Sequence, residues 1–333
     1  MLISAADGES EAMTADPAAV TNTSRSADAT DAVVQLSDIG RVFRRSGGRQ
    51  VAALQGIDLA VPRGSAFGVV GESGSGKTTL IRIVAGLDRA TSGRVVVDGT
   101  DITDLPEKRL GSLRSTLQVV FQDPMGSLDP RMRIGRIVAE PLLAQHRQRD
   151  GRRTESQAVD ARVAEVLGQV GLEPDIVHRY PHQFSGGQRQ RISIARAIAP
   201  DPAVLIADEA VSALDVTVRA QILDLIADIA ARRSLTLMFV SHDLSVIRRV
   251  CDHVAVLQSG RLVETGPTAE VYRHPRQEYT RQLLAAVPRL ASSLEMARAR
   301  AARSAGASGS SGSSGPTDST GPTGPVRNSE DGG

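Results

Sequence analysis

The chain has 333 residues, of which 41% are hydrophobic and 23% charged, and a formal net charge of +1. Its 37 arginines and two lysines are balanced by 38 acids, so no global positive field is available to gather nucleic acid. The single Cys251 excludes a disulfide framework or a four-cysteine metal or iron–sulfur centre within the chain, and no apolar run approaches the ~20 residues that a membrane-spanning helix needs.

In chain order, residues 1–32 come first, with six acids, one arginine and no apolar period, a composition that predicts a disordered tail. Asp7, Glu9, Glu11 and Asp16 stand where a secretory leader would be basic and then apolar, which predicts a soluble cytosolic chain. From residue 33 the pattern becomes mixed α/β. β-Branched runs predict strands at Val33–Leu36, Ala66–Val70, Arg94–Val97, Leu117–Phe121, Ala203–Ala207, Leu235–Val240 and His253–Leu257. Helical periodicity marks Thr78–Ala85, Ala158–Val170, Gln188–Ala199 and Val218–Arg232. Residues 123–200 contain no convincing strand, which predicts a helical insertion in an α/β domain.

The first chemical motif is Gly71-Glu72-Ser73-Gly74-Ser75-Gly76-Lys77-Thr78, followed by Thr79. It fits G-x-x-x-x-G-K-[ST] and lies between a predicted strand and a predicted helix. Glycines let the backbone curl so that its N–H groups face inward as an anion nest, and the helix N-terminus reinforces that field. Lys77 adds a compact ammonium for β- and γ-phosphates, and the Thr78 hydroxyl is placed to ligate Mg²⁺. In a chain that otherwise uses arginine, a lysine here fits a point charge meeting phosphate oxygens, whereas Lys108 reads as surface. The motif predicts binding of a nucleoside triphosphate.

Val204-Leu205-Ile206-Ala207-Asp208-Glu209 is an apolar strand ending in two acids. Such a strand delivers carboxylates to the edge where α/β sheets bind ligands, with Asp208 suited to Mg²⁺ and Glu209 to polarising the attacking water. Between the two motifs lies Phe184-Ser185-Gly186-Gly187-Gln188, opening a predicted helix. A serine hydroxyl, two glycines and a helix N-terminus make a second phosphate-sized site. One nucleotide does not need two such sites in one chain; two chains packed head-to-tail, each closing over the other's nucleotide, do.

These motifs together resemble the nucleotide-binding subunits of ABC transporters, whose signature is LSGGQ, with Phe184 in place of the leucine. The resemblance covers about residues 33–290. It implies a P-loop NTPase (RecA-like) α/β core with an antiparallel β subdomain and an inserted helical subdomain, binding ATP and Mg²⁺. By position, Gln122 matches the glutamine that contacts Mg²⁺ and relays nucleotide state to the membrane subunits. Ser212-Ala213-Leu214-Asp215 matches the loop that crosses the dimer interface, His242 the histidine that reaches the γ-phosphate, and Phe43 the aromatic that stacks on adenine. Ala210 departs from the family, which usually has proline after the catalytic glutamate.

The stretches Gln122-Asp123-Pro124, Ser127–Arg131 and Tyr180–Ser185 narrow the resemblance to oligopeptide and dipeptide importers, as do His274-Pro275 and Tyr279–Leu284 in an extension over 271–290. Some members of that group carry a cysteine cluster in the extension; here no cysteine follows Cys251, which reads as a buried small apolar residue. The implied partners are transmembrane permease subunits, a second ATP-binding subunit and, indirectly, an extracytoplasmic solute-binding protein, with no nucleic acid; the implied location is the cytoplasmic face of the membrane. Nickel, glutathione and other small solutes use closely similar subunits and stay open as cargo. A soluble ABC-type ATPase acting on DNA or ribosomes is the alternative from another class, although such chains usually hold two cassettes or a long coiled coil. Residues 291–333 predict a second disordered tail: from Ser304 to Val326, 19 of 23 residues are Ser, Gly, Pro or Thr.

Overall fold

The computed structural model describes residues 31–44, 48–149 and 156–286, all within one compact unit. The chain opens with β1 (Ala32–Arg44) and β2 (Gln50–Pro62), a long antiparallel hairpin. β3 (Ala66–Val70), α1 (Lys77–Val84), β4 (Ser92–Val97) and β5 (Thr100–Asp101) follow. Next come α2 (Gly111–Thr116), β6 (Leu117–Val120), α3 (Pro124–Ser127), α4 (Ile134–Arg149), α5 (Ser156–Gln169) and α6 (Gly186–Ile198). β7 (Val204–Asp208), α7 (Val216–Arg233), β8 (Thr236–Ser241), α8 (Leu244–Val250), β9 (His253–Gln258) and β10 (Arg261–Pro267) complete the core. α9 (Thr268–Arg273) and α10 (Glu278–Ala286) close the described chain.

Two sheets form. One is four-stranded and antiparallel, in the order β2-β1-β4-β5; the other is six-stranded, in the order β10-β9-β3-β8-β7-β6, with only the β10–β9 pair antiparallel. Its central strands are covered on both faces, as parallel strands require. Along β7, β8 and β9 the side chains divide with period two. Leu205, Ala207, Leu237, Phe239, Val254 and Val256 join one core with α6, α7, α8 and the helices of residues 134–198. Val204, Ile206, Met238, Val240, Ala255 and Leu257 join the other, with α1 and the four-stranded sheet.

The predicted helical insertion is present: among the described residues between Asp123 and Pro200 there is no strand. Four expectations need correction. β1 runs to Arg44 rather than stopping at Leu36, because it pairs with β2 on one side and β4 on the other. β2 itself was not predicted, since a bulge at Gly56 (φ 61°) interrupts its alternation. β6 ends at Val120, leaving Phe121 exposed beyond the strand. α4 was missed as well: Ile134, Ile137, Val138 and Leu142 give it a buried stripe, but Pro141 and its arginines mask the pattern. Cys251 is buried as expected, and burial pushes its thiol pKa up. The tail expected over 1–32 falls outside the described residues except for Asp31 and Ala32, and the tail over 291–333 lies wholly outside them. No helix among the described residues is long and apolar enough to cross a membrane.

Candidate functional site

Parallel register decides which residues meet. Val70 of β3 lies opposite Ser241 of β8, Asp208 of β7 opposite Val240, and Val120 of β6 opposite Ala207. Gly71, Glu209, His242 and Gln122 therefore all follow directly from the same carboxyl edge of the sheet, the edge where open α/β sheets bind ligands.

The loop from Gly71 to Gly76 turns the chain from β3 into α1. Gly71, Gly74 and Gly76 have φ values of 154°, 81° and 107°. A Cβ on Gly71 would lie 2.2 Å from the Leu257 carbonyl oxygen, and one on Gly76 would lie 2.7 Å from that of Ala53, so the loop tolerates no larger residue at either place. Gly76 is the N-cap of α1 and offers no side-chain acceptor, so the first N–H groups of the helix stay uncapped and available to an anion. Ser73, Gly74 and Thr78 are exposed and Thr79 is half-buried, whereas Ser75 and Lys77 are buried, with the Ser75 hydroxyl lacking a hydrogen-bond partner. Lys77 Nζ donates to the carbonyls of Gly71 (2.7 Å) and Glu72 (2.8 Å), leaving a third donor free. Burial lowers the Lys77 pKa, while Glu209 and Asp208 pull it back up. Asp208 is shifted the other way: burial and the Glu209 charge raise its pKa, and Lys77 opposes them.

Glu209 sits at a forced corner. Its φ is 47°, a left-handed conformation that costs a non-glycine residue about 1–2 kcal/mol. Its N–H donates to Val240 (3.0 Å), and its carbonyl accepts the N–H (3.0 Å) and hydroxyl (3.0 Å) of Ser212, which close the turn around buried Ala210. The carboxylate Oε1 lies 3.1 Å from His242 Nδ1. His242, which only its register after a predicted strand separates from an ordinary loop histidine, is thus paired directly with the predicted base.

Ser185 caps α6. Its hydroxyl accepts the Gln188 N–H (3.3 Å), and its own N–H donates to Gln188 Oε1 (3.1 Å), a reciprocal capping box. Phe184 is buried in the core that α6 shares, with the Arg179 guanidinium 4.4 Å from its ring centre. Gly187 faces Val218 closely enough that a Cβ would come within 2.6 Å, and Asp215 caps α7 by accepting the Val218 N–H (3.0 Å). The structure therefore joins Gly186 and Gly187 to the Leu214–Val218 segment but forms no hydrogen bond from Ser185–Gln188 to the phosphate loop of the same chain. Gln122 is exposed and makes no hydrogen bond to that loop or to the two carboxylates. Phe43 is 37% exposed near the end of β1, with the Arg41 guanidinium 4.5 Å from its ring centre. Arg41 is itself held by Asp88 at 2.7 Å, an arrangement that the sequence did not reveal.

Beside Phe121 lies a groove of about 680 Å³ between the sheet and the helical insertion. Leu87 and Phe121, 48% and 42% exposed, stand at its apolar wall, and Arg114, Glu140 and Arg196 also line it.

A phosphate-binding loop, a buried lysine and an acid pair joined to a histidine on a doubly covered sheet define a P-loop ATP hydrolase. The ABC transporter family model matches residues 54–212. The dipeptide transport ATP-binding protein DppF of Lactococcus lactis subsp. cremoris (strain MG1363) is 42% identical over 258 residues, 77% of this chain and 81% of that protein. The oligopeptide transport ATP-binding protein OppF of Escherichia coli (strain K12) is 41% identical over 264 residues, 77% of this chain and 78% of that protein. Among solved structures, a dimeric post-hydrolysis ATP-binding cassette bound to ADP and Pi superposes with a TM-score of 0.63 at 28% identity, covering 71% of this chain and 98% of that one. The chain belongs to the ABC transporter family, as an ATP-binding subunit.

Proposed function

We propose that this subunit powers import of dipeptides or oligopeptides, working as one of two head-to-tail ATP-binding subunits beneath transmembrane permease subunits that receive cargo from an extracytoplasmic binding protein. The observation that carries the ATPase half is the meeting of Lys77, Asp208, Glu209 and His242 at one sheet edge, with Glu209 fixed by Val240, Ser212 and His242. The names of the relatives support the peptide half.

In this reading the loop N–H groups and Lys77 hold the β- and γ-phosphates, and Phe43, backed by Arg41, stacks on adenine. The donor set suits Mg²⁺, which binds through one or two carboxylates with waters and phosphates making up the rest. Asp208 and the Thr78 hydroxyl would hold it, with Gln122 joining as the lobes close, and the raised Asp208 pKa is what a nearby cation would relieve. When bound, Mg²⁺ neutralises charge on the phosphate oxygens. Glu209 takes the proton of the attacking water, His242 holds that carboxylate in place and meets the γ-phosphate, and Ser185–Gln188 of a second copy supply the facing donors. Catalysis is then positioning and charge neutralisation. The groove beside Phe121 receives a cytoplasmic helix of the permease: it adjoins Gln122 and is bounded by both lobes, so closure would move it.

Reconstitution with the permease subunits and a panel of cargo tests this reading. Hydrolysis stimulated by dipeptides or oligopeptides is the expected result; stimulation by nickel or glutathione alone would overturn the peptide assignment.

A further inference from the structure

The chain has three tyrosines, and two of them, Tyr272 and Tyr279, lie on α9 and α10 and touch the start of α8 and the phosphate loop. The Glu72 N–H, at the second residue of the phosphate loop, donates to Tyr279 Oη at 3.2 Å. Tyr272 Oη donates to the carbonyl of Leu244, which begins α8 two residues after His242. The segment is held firmly enough to transmit position. Glu264 on β10 accepts the N–H groups of Arg276 (2.9 Å) and Gln277 (3.2 Å), which fixes the turn between α9 and α10. The Thr268 N–H donates to the Asp252 carbonyl (2.8 Å), while Tyr272, Tyr279, Leu283 and Leu284 pack against the core that includes α8.

We propose that Tyr279 is a positioning residue for the phosphate loop. Its hydroxyl holds the Glu72 peptide, and with it the loop's entry, in the orientation that receives phosphate, so nucleotide occupancy and docking of α10 are coupled. The nucleotide reading of the loop underlies this inference. Burial raises the phenol pKa, so Tyr279 stays neutral at physiological pH with its oxygen free to accept the Glu72 N–H. Coupling of this kind is reciprocal: whatever α10 contributes to nucleotide affinity, nucleotide must return to α10 as local stability.

The test uses the full-length native chain and Tyr279→Phe, which removes only the hydroxyl. Mg–ADP affinity is measured by titration calorimetry, ATPase kinetics in the reconstituted complex, and amide exchange over 278–286 with and without Mg–ADP. One lost hydrogen bond predicts about threefold to tenfold weaker Mg–ADP binding and a matching rise in KM, with kcat within about twofold. Nucleotide should slow exchange of α10 in the native chain and fail to do so in Tyr279→Phe. Equal affinity in both chains, a fall in kcat at constant KM, or α10 exchange in the native chain that ignores nucleotide would overturn the proposal. If the native chain binds no Mg–ADP, the nucleotide reading of the loop falls, and this inference falls with it. Native binding with an unaltered variant overturns this inference alone.

Discussion

Asp208, Glu209 and Lys77 form a charge cluster in which Lys77 and Asp208 each feel the other two. Burial and Glu209 raise the Asp208 pKa while Lys77 resists, so folding places a carboxylate where protonation is favoured. A carboxyl whose pKa is higher folded than unfolded binds more protons in the folded state. Stability of the metal-free chain therefore falls as pH rises from the ordinary carboxylate range through the raised value. In chelator, Asp208→Asn should melt roughly 2–4 °C above the native chain at about pH 7.5, with the gap closing toward about pH 4. Equal melting temperatures at the higher pH would contradict this balance. The loop residues and the acid pair were legible in the sequence because their spacing is itself the chemistry. The hold of Asp88 on the Arg41 that backs Phe43, and the tie from Tyr279 to Glu72, were not, since they join positions far apart in the chain whose residue types carry no local signal.

At the scale of elements, caps and ion pairs set the helical insertion against the core. Arg162 on α5 donates through Nε to Ala199 (3.0 Å) and through Nη2 to Ile198 (3.2 Å), covering carbonyls at the end of α6, while its Nη1 binds Glu165 on both oxygens (2.9 Å each). Arg233 at the end of α7 continues the network to Asp201 and Gln169. A lysine cannot reproduce the planar fork. Arg162→Lys should cost about 1–2 kcal/mol, or roughly 4 °C in melting temperature, with nucleotide affinity unchanged. An unchanged melting curve would show that the network is dispensable. Strands such as β7 and β8 were readable because they are nearly continuous apolar runs buried on both faces. β10 was not: of its residues Arg261–Pro267 only Leu262 and Val263 are large and apolar, and none is fully buried. Its signal lay in the preceding Ser259-Gly260 pair, whose φ values of 48° and 78° make the two-residue turn joining it to β9, as Asp98-Gly99 joins β4 to β5.

For the whole molecule, two surfaces should divide the work: the sheet edge that hydrolyses ATP and the groove that meets the membrane partner. Leu87→Asp places a charge on the groove's apolar wall, away from the phosphate loop. It should leave nucleotide binding by the free subunit within about twofold of native while lowering permease association at least tenfold, as expected for a desolvated charge at an interface core. Full association of that variant would place the permease contact elsewhere. The helical insertion was visible in the sequence as a long strandless stretch, but the groove between it and the sheet arises only from packing. The second phosphate-sized site also takes its meaning at this scale, because Ser185–Gln188 makes no hydrogen bond to the loop of its own chain. The most direct test is Glu209→Gln mixed with Mg–ATP and followed by light scattering together with nucleotide stoichiometry. A stable dimer retaining two ATP per pair, with turnover lowered by about a hundredfold or more, is the predicted result. Hydrolysis at the native rate, or tight ATP binding by a chain that remains monomeric, would contradict the assignment of Glu209 as the base and of Ser185–Gln188 as the site's other half.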